Sequence, residues 1–435
     1  MSLRYYSRGN YFKRRLQMGV DDPFHVSAYD CLFDELLDVS RVRRYFVWMT
    51  STFDAFRTRL EYDSAGDLRV CDSDISVSPI ELVEVDSLEA EMASCKAFSD
   101  ANRRRVCLMN GPVVVIFLYH ASREKRSMLR LLCSHFAIDG MSLNLLMLAT
   151  RAFFSGGSVP FQPGSYIGWM DGYWEYATSE AAAAEFAFWE ATLGDDFAAI
   201  QEQRRKLAGE NAHHVELGLR VETVAALAWR CRNRWKCTLA DAVAAAVLAG
   251  LGHFFQSRRM AVHWAGHGRS LLGTRSFYGT VGWLSDWHPL LVDIAVAKKT
   301  DLVRNFRDAL HATPNGGASF RWVSEFGRKA GQGMLERRSA TPFRLNYRQN
   351  AGVAPVEPSQ SFIVAEQDLL LKTGSFIVPS TEFDVYLTAD MGSQSKLTLG
   401  VSGAISSAYA EDIMRSIGRN VLCFAYENTE TVSRV

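Results

Sequence analysis

The sequence has little of three things: net charge, paired cysteines and long apolar segments. Its 48 Lys and Arg residues balance 48 Asp and Glu residues, so no net positive field would attract nucleic acid or an anionic membrane surface. Its 8 cysteines include no Cys-x-x-Cys pair and no Cys/His spacing typical of a tetrahedral metal site. We therefore expect reduced thiols, no bound metal and no nucleic-acid partner.

A membrane span and a secretion signal are also missing. The longest smooth apolar run, 239–251, is interrupted by Asp241 and falls short of the ~20 residues that cross a bilayer. The basic and aromatic segment 1–18 lacks the apolar core of a signal peptide. These absences predict a cytoplasmic protein without a membrane partner.

The overall amino-acid composition is that of an ordinary globular protein. Its 435 residues are 48% hydrophobic and 22% charged, which gives enough length and apolar content for two packed lobes. Strand-like and helical patterns occur in both halves. Gly, Pro and Ser concentrate in 155–165 (SGGSVPFQPGS), which we interpret as the linker. The predicted fold class is α/β, with lobes over residues 1–160 and 161–435.

Short apolar runs in the N-terminal half predict secondary structure in a definite order. The runs 112–119 (PVVVIFLY) and 128–133 (MLRLLC) are separated by a charged turn and predict adjacent strands. Helical spacing follows in 141–154. The same spacing predicts one helix over 39–59 and an aromatic helical segment over 166–193.

The turn between the second strand and its helix is the segment most suggestive of chemistry. It reads Ser134-His135-Phe136-Ala137-Ile138-Asp139-Gly140. A histidine held by backbone directly after a buried strand suits a positioned acid or base. Asp139 would fix the turn, and Gly140 would permit the positive φ of a sharp exit. From the residues alone, a structural histidine is the more common alternative.

This turn resembles the HHxxxDG motif of nonribosomal peptide synthetase condensation domains, which belong to the chloramphenicol-acetyltransferase-like acyltransferases. Further segments resemble that family in the same order along the chain. They are Phe56-Arg57-Thr58-Arg59 for LRTxF, 166–193 for the YxxW and YWxxxL helices, 266–290 for the GR…VGWF…P block, and Leu345-Asn346-Tyr347 for FNYLG. The resemblance runs from about Pro23 to Tyr426 and identifies the chain as a member of the family.

The resemblance implies a fold, a reaction and a set of site residues. Two acetyltransferase-like lobes would form a V-shaped pseudo-dimer with a tunnel between them. His135 would be the catalytic residue, and Asp139 would form an ion pair with Arg269 that supports the catalytic turn together with Gly140. Ser134 replaces the first histidine of the motif, so the packing beneath the turn would differ from that of the family.

The resemblance also implies the partners. An acyl or peptidyl carrier protein would deliver a thioester on its 4'-phosphopantetheine arm, and an amine or alcohol acceptor would attack it, giving an amide or ester in nonribosomal peptide or related biosynthesis. No cofactor would be bound directly. Since no segment resembles an adenylation or carrier domain, we expect a stand-alone, monomeric two-lobed protein whose carrier partners are separate chains.

Two alternatives stay open at this stage. The segment 265–270 also resembles the EGHGRE pattern of epimerisation domains, but Ala265 stands at the first glutamate and Ser270 at the second. Racemising an α-carbon needs a second acid or base, which alanine lacks, so an epimerase-like activity is disfavoured. The other alternative is a non-catalytic module of the same fold that recruits carrier proteins or a tailoring enzyme.

Overall fold

Strands and helices follow one another along most of the chain. The structure is a computed structural model, and it describes residues 4–5, 26–62, 64, 68–72, 80–109, 112–195, 199, 202, 207–219, 221–270, 272–273, 275–327, 343–350, 364–367, 383–390 and 396–426. Pro23, where the family resemblance begins, lies outside the described residues.

The strands and α-helices are numbered in chain order. The strands are β1 (Arg4–Tyr5), β2 (Val26–Phe33), β3 (Thr58–Tyr62), β4 (Leu68–Asp72), β5 (Glu81–Glu84), β6 (Val114–Ala121), β7 (Arg126–Ser134), β8 (Ala208–Leu219), β9 (Arg259–Gly266), β10 (Asp286–Asp293), β11 (Phe343–Asn350), β12 (Val364–Gln367), β13 (Phe383–Asp390) and β14 (Lys396–Ile405). The α-helices are α1 (Val39–Thr52), α2 (Leu88–Ala93), α3 (Cys95–Asn102), α4 (Gly140–Ser155), α5 (Tyr166–Ala177), α6 (Ala182–Thr192), α7 (Val221–Arg230), α8 (Leu239–Phe255), α9 (Lys299–Ala312), α10 (Phe320–Phe326) and α11 (Ser407–Tyr426).

The chain folds into two compact units, each assembled from segments that are distant in sequence. The first combines Met1–Glu175, Arg269–Leu284 and Val353–Ser375, and the second combines Tyr176–Gly268, Ser285–Gly352 and Phe376–Val435. Both contain sheets and helices, so the predicted α/β class is confirmed. The units are not the continuous ranges 1–160 and 161–435, because two later segments return to the first unit.

A five-stranded sheet forms the centre of the first unit, in the order β12-β2-β7-β6-β5. β7 pairs antiparallel with β2 on one side and with β6 on the other. The eight residues of β7 after Arg126 are all buried, as expected for an interior strand covered on both faces. The predicted pair of adjacent strands is therefore confirmed, and the end of β7 is a rigid position for the turn that follows.

The predicted helix over 39–59 is wrong in its second half. The helix α1 ends at Thr52, and Phe53 has extended backbone (φ −117°, ψ 105°). A 3₁₀ turn, Asp54–Arg57, and the strand β3 follow. The apolar spacing continues past Thr52, but the backbone groups of β3 form hydrogen bonds with β4 instead of continuing the helix.

The segment interpreted as a linker, 155–165, lies inside the first unit. Gly156 is left-handed (φ 72°) and ends α4. The Gly164 N–H donates to the Gly279 carbonyl at 3.1 Å. The Asp54 carboxylate then accepts hydrogen bonds from the Ser165 hydroxyl at 2.6 Å and the Tyr166 N–H at 2.7 Å, which anchors the start of α5.

The second unit contains a six-stranded sheet in the order β10-β9-β11-β13-β14-β8. Its core surrounds α8, in which every residue from 242 to 252 is buried. Gly250 lets this helix approach α11 closely, because a Cβ there would lie 2.6 Å from the Ile417 Cα. Lys236 is left-handed and separates α7 from α8, which begins at Leu239.

No single helix in the described ranges is both long and apolar enough to span a bilayer. One pair with a 102° bend, Thr223–Trp235 with Leu239–Phe255, meets that requirement by length and composition alone.

Candidate active site

His135 lies on a short turn between the interior strand β7 and the helix α4. β7 ends at Ser134, His135–Ala137 form one 3₁₀ turn, and α4 begins at Gly140. The Ser134 N–H donates to the Val113 carbonyl at 2.9 Å, and the Ser134 hydroxyl accepts from the Phe136 N–H at 3.3 Å. The backbone on both sides of His135 is therefore fixed by hydrogen bonds, as the sequence predicts.

The imidazole ring of His135 packs edge-to-face against Trp283, with ring centroids 4.6 Å apart. The Trp283 N–H donates to the Phe136 carbonyl at 3.3 Å, which fixes the tryptophan to the same turn. The Nδ1 atom of His135 is inaccessible to solvent, whereas the residue as a whole is only partly buried. The aromatic contact limits ring rotation, so the histidine is presented in a defined orientation.

Asp139 caps α4 and is almost completely buried, at 2% exposure. Its Oδ1 atom accepts hydrogen bonds from the Ser142 N–H at 2.8 Å and Arg269 Nη2 at 2.9 Å. Its Oδ2 atom accepts from Arg269 Nη1 at 3.0 Å and the Leu284 N–H at 3.0 Å. The expected ion pair with Arg269 is present, in the bidentate geometry that gives such pairs directional strength. The same carboxylate joins the start of α4 to the 269–284 segment.

The guanidinium of Arg269, with 0% exposure, binds two further groups. Its Nε donates to the Thr280 carbonyl at 3.1 Å, and its Nη2 donates to the Ser142 hydroxyl at 2.6 Å. That hydroxyl donates to the Gly282 carbonyl at 2.7 Å and accepts from the Gly282 N–H at 2.9 Å. The Ser142 oxygen thus uses its one donor and both acceptor positions. A buried network of this completeness specifies one loop conformation.

Gly282 requires glycine because its φ is 155° and a Cβ there would lie 2.4 Å from the Tyr166 ring. Gly282 and Trp283 belong to the VGW of the segment quoted for the family resemblance. Sequence reasoning assigned no role to them, to Ser142 or to Leu284. The VGW triplet was the available signal for the first two, whereas nothing local to Ser142 or Leu284 indicates a contact with a residue more than a hundred positions away.

The role predicted for the backbone of Gly140 is wrong. Gly140 is the first residue of α4 and has no positive φ. The reversal of direction occurs earlier, in the 3₁₀ turn and in the extended backbone of Ile138 and Asp139, so no left-handed residue is needed. Gly140 is exposed, and a Cβ there would meet nothing within 4 Å.

Ala265 and Ser270 stand at the two positions where the epimerisation pattern has glutamate. Ala265 belongs to the second unit and Ser270 to the first. Ala265 lies on β9, paired in register with Trp287 on β10. Ser270 belongs to the first unit, where its carbonyl accepts a hydrogen bond from the Tyr173 hydroxyl at 3.2 Å. Within the described part of the chain, no three His, Cys, Asp or Glu side chains are arranged to hold a metal ion.

Comparison with known proteins gives concordant matches. A family model described as Condensation domain matches residues 24–435. A linear gramicidin synthase protein of Brevibacillus parabrevis is 27% identical over 233 residues, which is 50% of this chain and 3% of that protein. The chain therefore spans a small part of the length of this curated relative.

Two solved structures share the fold. The first condensation domain of the calcium-dependent antibiotic synthetase, in complex with a substrate analogue, has a TM-score of 0.70 at 16% identity over 99% of this chain and 99% of that chain. The epimerization domain from the third module of tyrocidine synthetase B has a TM-score of 0.70 at 15% identity over 97% of this chain and 96% of that chain. Because the family model matches nearly the whole sequence, the chain belongs to the condensation domain family of nonribosomal peptide synthetases.

Proposed function

We propose that this protein is a condensation-type acyltransferase with His135 as its catalytic residue. It joins an acyl or aminoacyl thioester, carried on the 4'-phosphopantetheine arm of a carrier protein, to an amine or hydroxyl acceptor. The products are an amide or ester and the free pantetheine thiol. The observation that carries the proposal is the placement of a partly accessible histidine on a turn whose backbone is fixed on both sides.

His135 acts on the acceptor. As the acceptor nitrogen or oxygen attacks the thioester carbonyl, the imidazole takes its proton. The carbon–sulfur bond breaks when the tetrahedral species collapses, and the imidazolium returns the proton to the departing thiolate. Since Nδ1 is inaccessible to solvent, we assign this role to Nε2. The edge-to-face contact with Trp283 keeps the ring oriented, which matters because proton transfer needs hydrogen-bond geometry.

The backbone N–H groups at the start of α4 stabilise the developing oxyanion. The first N–H groups of a helix have no partner inside the helix and lie at its positive end. Asp139 caps Ser142, so Gly140 and Met141 supply the donors for substrate. Gly140 is exposed, so its backbone is accessible to a substrate. Donors of this kind contribute most when they are held in place before the reaction.

Asp139 and Arg269 are positioning residues in this proposal. They bind the backbone at the start of α4 and in the 280–284 segment, next to the turn that carries His135. The pantetheine arm belongs to the substrate, so the protein itself needs no bound cofactor. The tunnel through which carrier-bound substrates would reach His135 stays a prediction of the family resemblance.

Turnover with surrogate substrates tests the proposal. Acyl- and aminoacyl-pantetheine thioesters are offered with a panel of amines and alcohols, and amide, ester and free thiol are measured by mass spectrometry. His135→Ala is expected to lower turnover by ~10²–10⁴-fold. His253→Ala, at an exposed position on α8, is the matched control. A folded His135→Ala protein with near wild-type turnover would remove His135 from the mechanism.

The same assay separates the alternatives. An aminoacyl thioester incubated in D₂O gains deuterium at its α-carbon if the protein epimerises its substrate. We expect no exchange, because alanine at position 265 cannot serve as a second acid or base. His135-dependent deuterium incorporation would replace condensation by epimerisation. Wild-type inactivity with every thioester, together with measurable binding of a carrier protein, would favour the recruitment module.

A further inference from the structure

Two cysteines of the second unit lie together at the break between α7 and α8. Cys231 starts a π-helical turn, Cys231–Trp235, that continues α7, and it is 3% exposed. Lys236 reverses the chain in the left-handed conformation (φ 50°, ψ 49°). Cys237 follows, and its N–H donates to the Cys231 carbonyl at 3.2 Å. The turn therefore brings the two residues into backbone contact across a short loop.

The environments of the two side chains differ, because Cys237 is partly exposed and Cys231 is buried. Interaction with Cys231 lowers the pKa of Cys237 below that of an ordinary thiol, and the same interaction raises the pKa of Cys231. The Arg307 guanidinium adds to the lowering, while burial and the Asp241 carboxylate oppose it. The pair thus consists of a half-buried thiol with a lowered pKa and a buried partner with a raised pKa.

The position of Cys237 in the chain strengthens this asymmetry. Thr238 is the N-cap of the 17-residue helix α8, so Cys237 lies one residue before the cap, at the positive end of the helix dipole. Arg307 also donates to the Lys236 carbonyl at 3.2 Å, which keeps its positive charge beside this turn. Helix N-termini and neighbouring guanidinium groups are the surroundings that make cysteines nucleophilic.

We propose that Cys237 and Cys231 are a thiol oxidation site, at which a peroxide converts the pair to a disulfide. The Cys237 thiolate attacks one peroxide oxygen, the O–O bond breaks, and Cys237 becomes a sulfenic acid as the other oxygen leaves as water. The Cys231 sulfur then attacks the sulfenic sulfur and displaces a second water. Two thiols and one peroxide thus give one disulfide and two waters, with sulfur oxidised and peroxide reduced.

Other cysteines of the chain supply internal controls. Cys71 is also partly exposed, but burial and a hydrogen bond with Glu61 raise its pKa to about 11. Cys31 is buried, and this burial raises its pKa to about 12. Neither is expected to react with peroxide at neutral pH, because the thiolate is the reactive form.

Competitive labelling of the whole chain tests the first half of the proposal. With substoichiometric iodoacetamide at pH 8, Cys237 is expected to be alkylated at least tenfold faster than Cys71, from the difference in thiolate fraction offset by lower intrinsic nucleophilicity. The measurement is peptide mapping by mass spectrometry. Equal labelling of Cys237 and Cys71 would overturn the assignment of Cys237 as the reactive thiol.

Peroxide treatment tests the second half. We expect a cross-linked pair of peptides containing Cys231 and Cys237, 2 Da lighter than their sum because two hydrogens are lost. Cys71→Ser leaves this product unchanged, whereas Cys231→Ala replaces it by a sulfenic acid that dimedone traps on Cys237. Cys237→Ser, at the half-buried position, abolishes the product even if Cys231→Ala fails to fold. A sulfinic acid on wild-type Cys237 without disulfide would overturn the pairing.

Discussion

Two buried aspartate–arginine pairs stabilise the first unit in different ways. Asp30 and Arg130 stand opposite each other in the register of β2 and β7, both with 0% side-chain exposure. The guanidinium donates to both carboxylate oxygens, at 2.6 and 2.7 Å. Asp139 and Arg269 make an equally buried bidentate pair, yet Asp139 is a helix cap and Arg269 belongs to an irregular segment. Strand register creates the first pair, and loop conformation depends on the second.

The remaining contacts of each pair show what it stabilises. The Arg130 guanidinium lies over the rings of Phe98 and Tyr119, 5.0 and 5.2 Å from their centroids, and so connects the sheet to α3. The Asp139 pair instead binds the backbone of Ser142, Leu284 and Thr280. Similar chemistry therefore stabilises packing in one place and fixes the path of the chain beside His135 in the other.

The largest expected effect comes from removing either carboxylate. Asp139→Ala and Asp30→Ala each leave a guanidinium buried without its counter-ion, which destabilises the first unit by about 3–5 kcal/mol. We expect only Asp139→Ala to lower turnover per folded molecule as well. Urea denaturation, read beside turnover normalised to the folded fraction, checks both statements.

If the alanine variants do not fold, Asp139→Asn and Asp30→Asn allow the effects of the two carboxylates on turnover to be compared. These variants remove the charge and retain part of the hydrogen bonding. An equal loss of normalised turnover in both would break the distinction between the pairs. Full stability of Asp139→Ala with selective loss of turnover would show that Asp139 is more than a positioning residue.

Gly140→Pro tests the backbone N–H at the start of α4 independently of the Asp139–Arg269 ion pair. Proline is favoured at the first position of a helix and lacks only the N–H. The extended Asp139 (φ −121°, ψ 179°) is compatible with a following proline. If the Gly140 N–H stabilises the oxyanion, turnover falls by about 10²–10³-fold with little change in stability. Turnover is measured in parallel with the melting temperature.

Gly140→Ala is the matched control, because it keeps the N–H and its Cβ meets open space. It is expected to retain turnover within a few-fold of wild type. Wild-type turnover in Gly140→Pro would exclude this N–H from the oxyanion site and leave Met141 as the remaining donor of the proposal.

Local patterns predicted the part of the site that is continuous in sequence. The order of strand, histidine turn and helix follows from hydrophobic spacing. Asp139 was expected to fix the turn, and in the structure it does so as the cap of α4. Arg269 came only from the family resemblance, because no local pattern specifies a partner 130 positions away. Ser142 and Leu284 were missed for the same reason.

The errors in the predicted fold also come from contacts between residues that are distant in sequence. The apolar spacing in 39–59 does not indicate that β3 pairs with β4. The Gly- and Pro-rich 155–165 segment reads as a linker, although Asp54 and Gly279 bind it into the first unit. In each case a contact between distant residues decides the structure, and local propensity does not contain it.

Replacing each ion pair by apolar residues is expected to give a smaller difference in stability between the two pairs. Buried ion pairs exchanged for apolar residues of similar size are often neutral in stability. Asp30→Leu with Arg130→Met removes one donor to the Glu91 carbonyl, which keeps the Ser94 N–H and hydroxyl as donors. Asp139→Leu with Arg269→Met instead orphans the Ser142 and Leu284 N–H groups and the Thr280 carbonyl. At ~1–3 kcal/mol for each orphaned group, the second double variant is expected to be at least ~2 kcal/mol less stable. Equal stability, measured by urea denaturation, would contradict this account.

The smallest expected effect is at Ser134, which the family resemblance aligns with a histidine. Ser134→Ala removes the acceptor of one 3.3 Å hydrogen bond from the Phe136 N–H, which costs about 1 kcal/mol. The β7 hydrogen bond to Val113 remains, so the turn persists and turnover falls less than about tenfold. Ser134→His places a large ring at a position with 0% exposure and is expected to destabilise by about 1–3 kcal/mol through overpacking. Melting temperature and turnover distinguish the two variants, and a Ser134→His protein more stable than wild type would show that the core beneath the turn has room for the family's histidine.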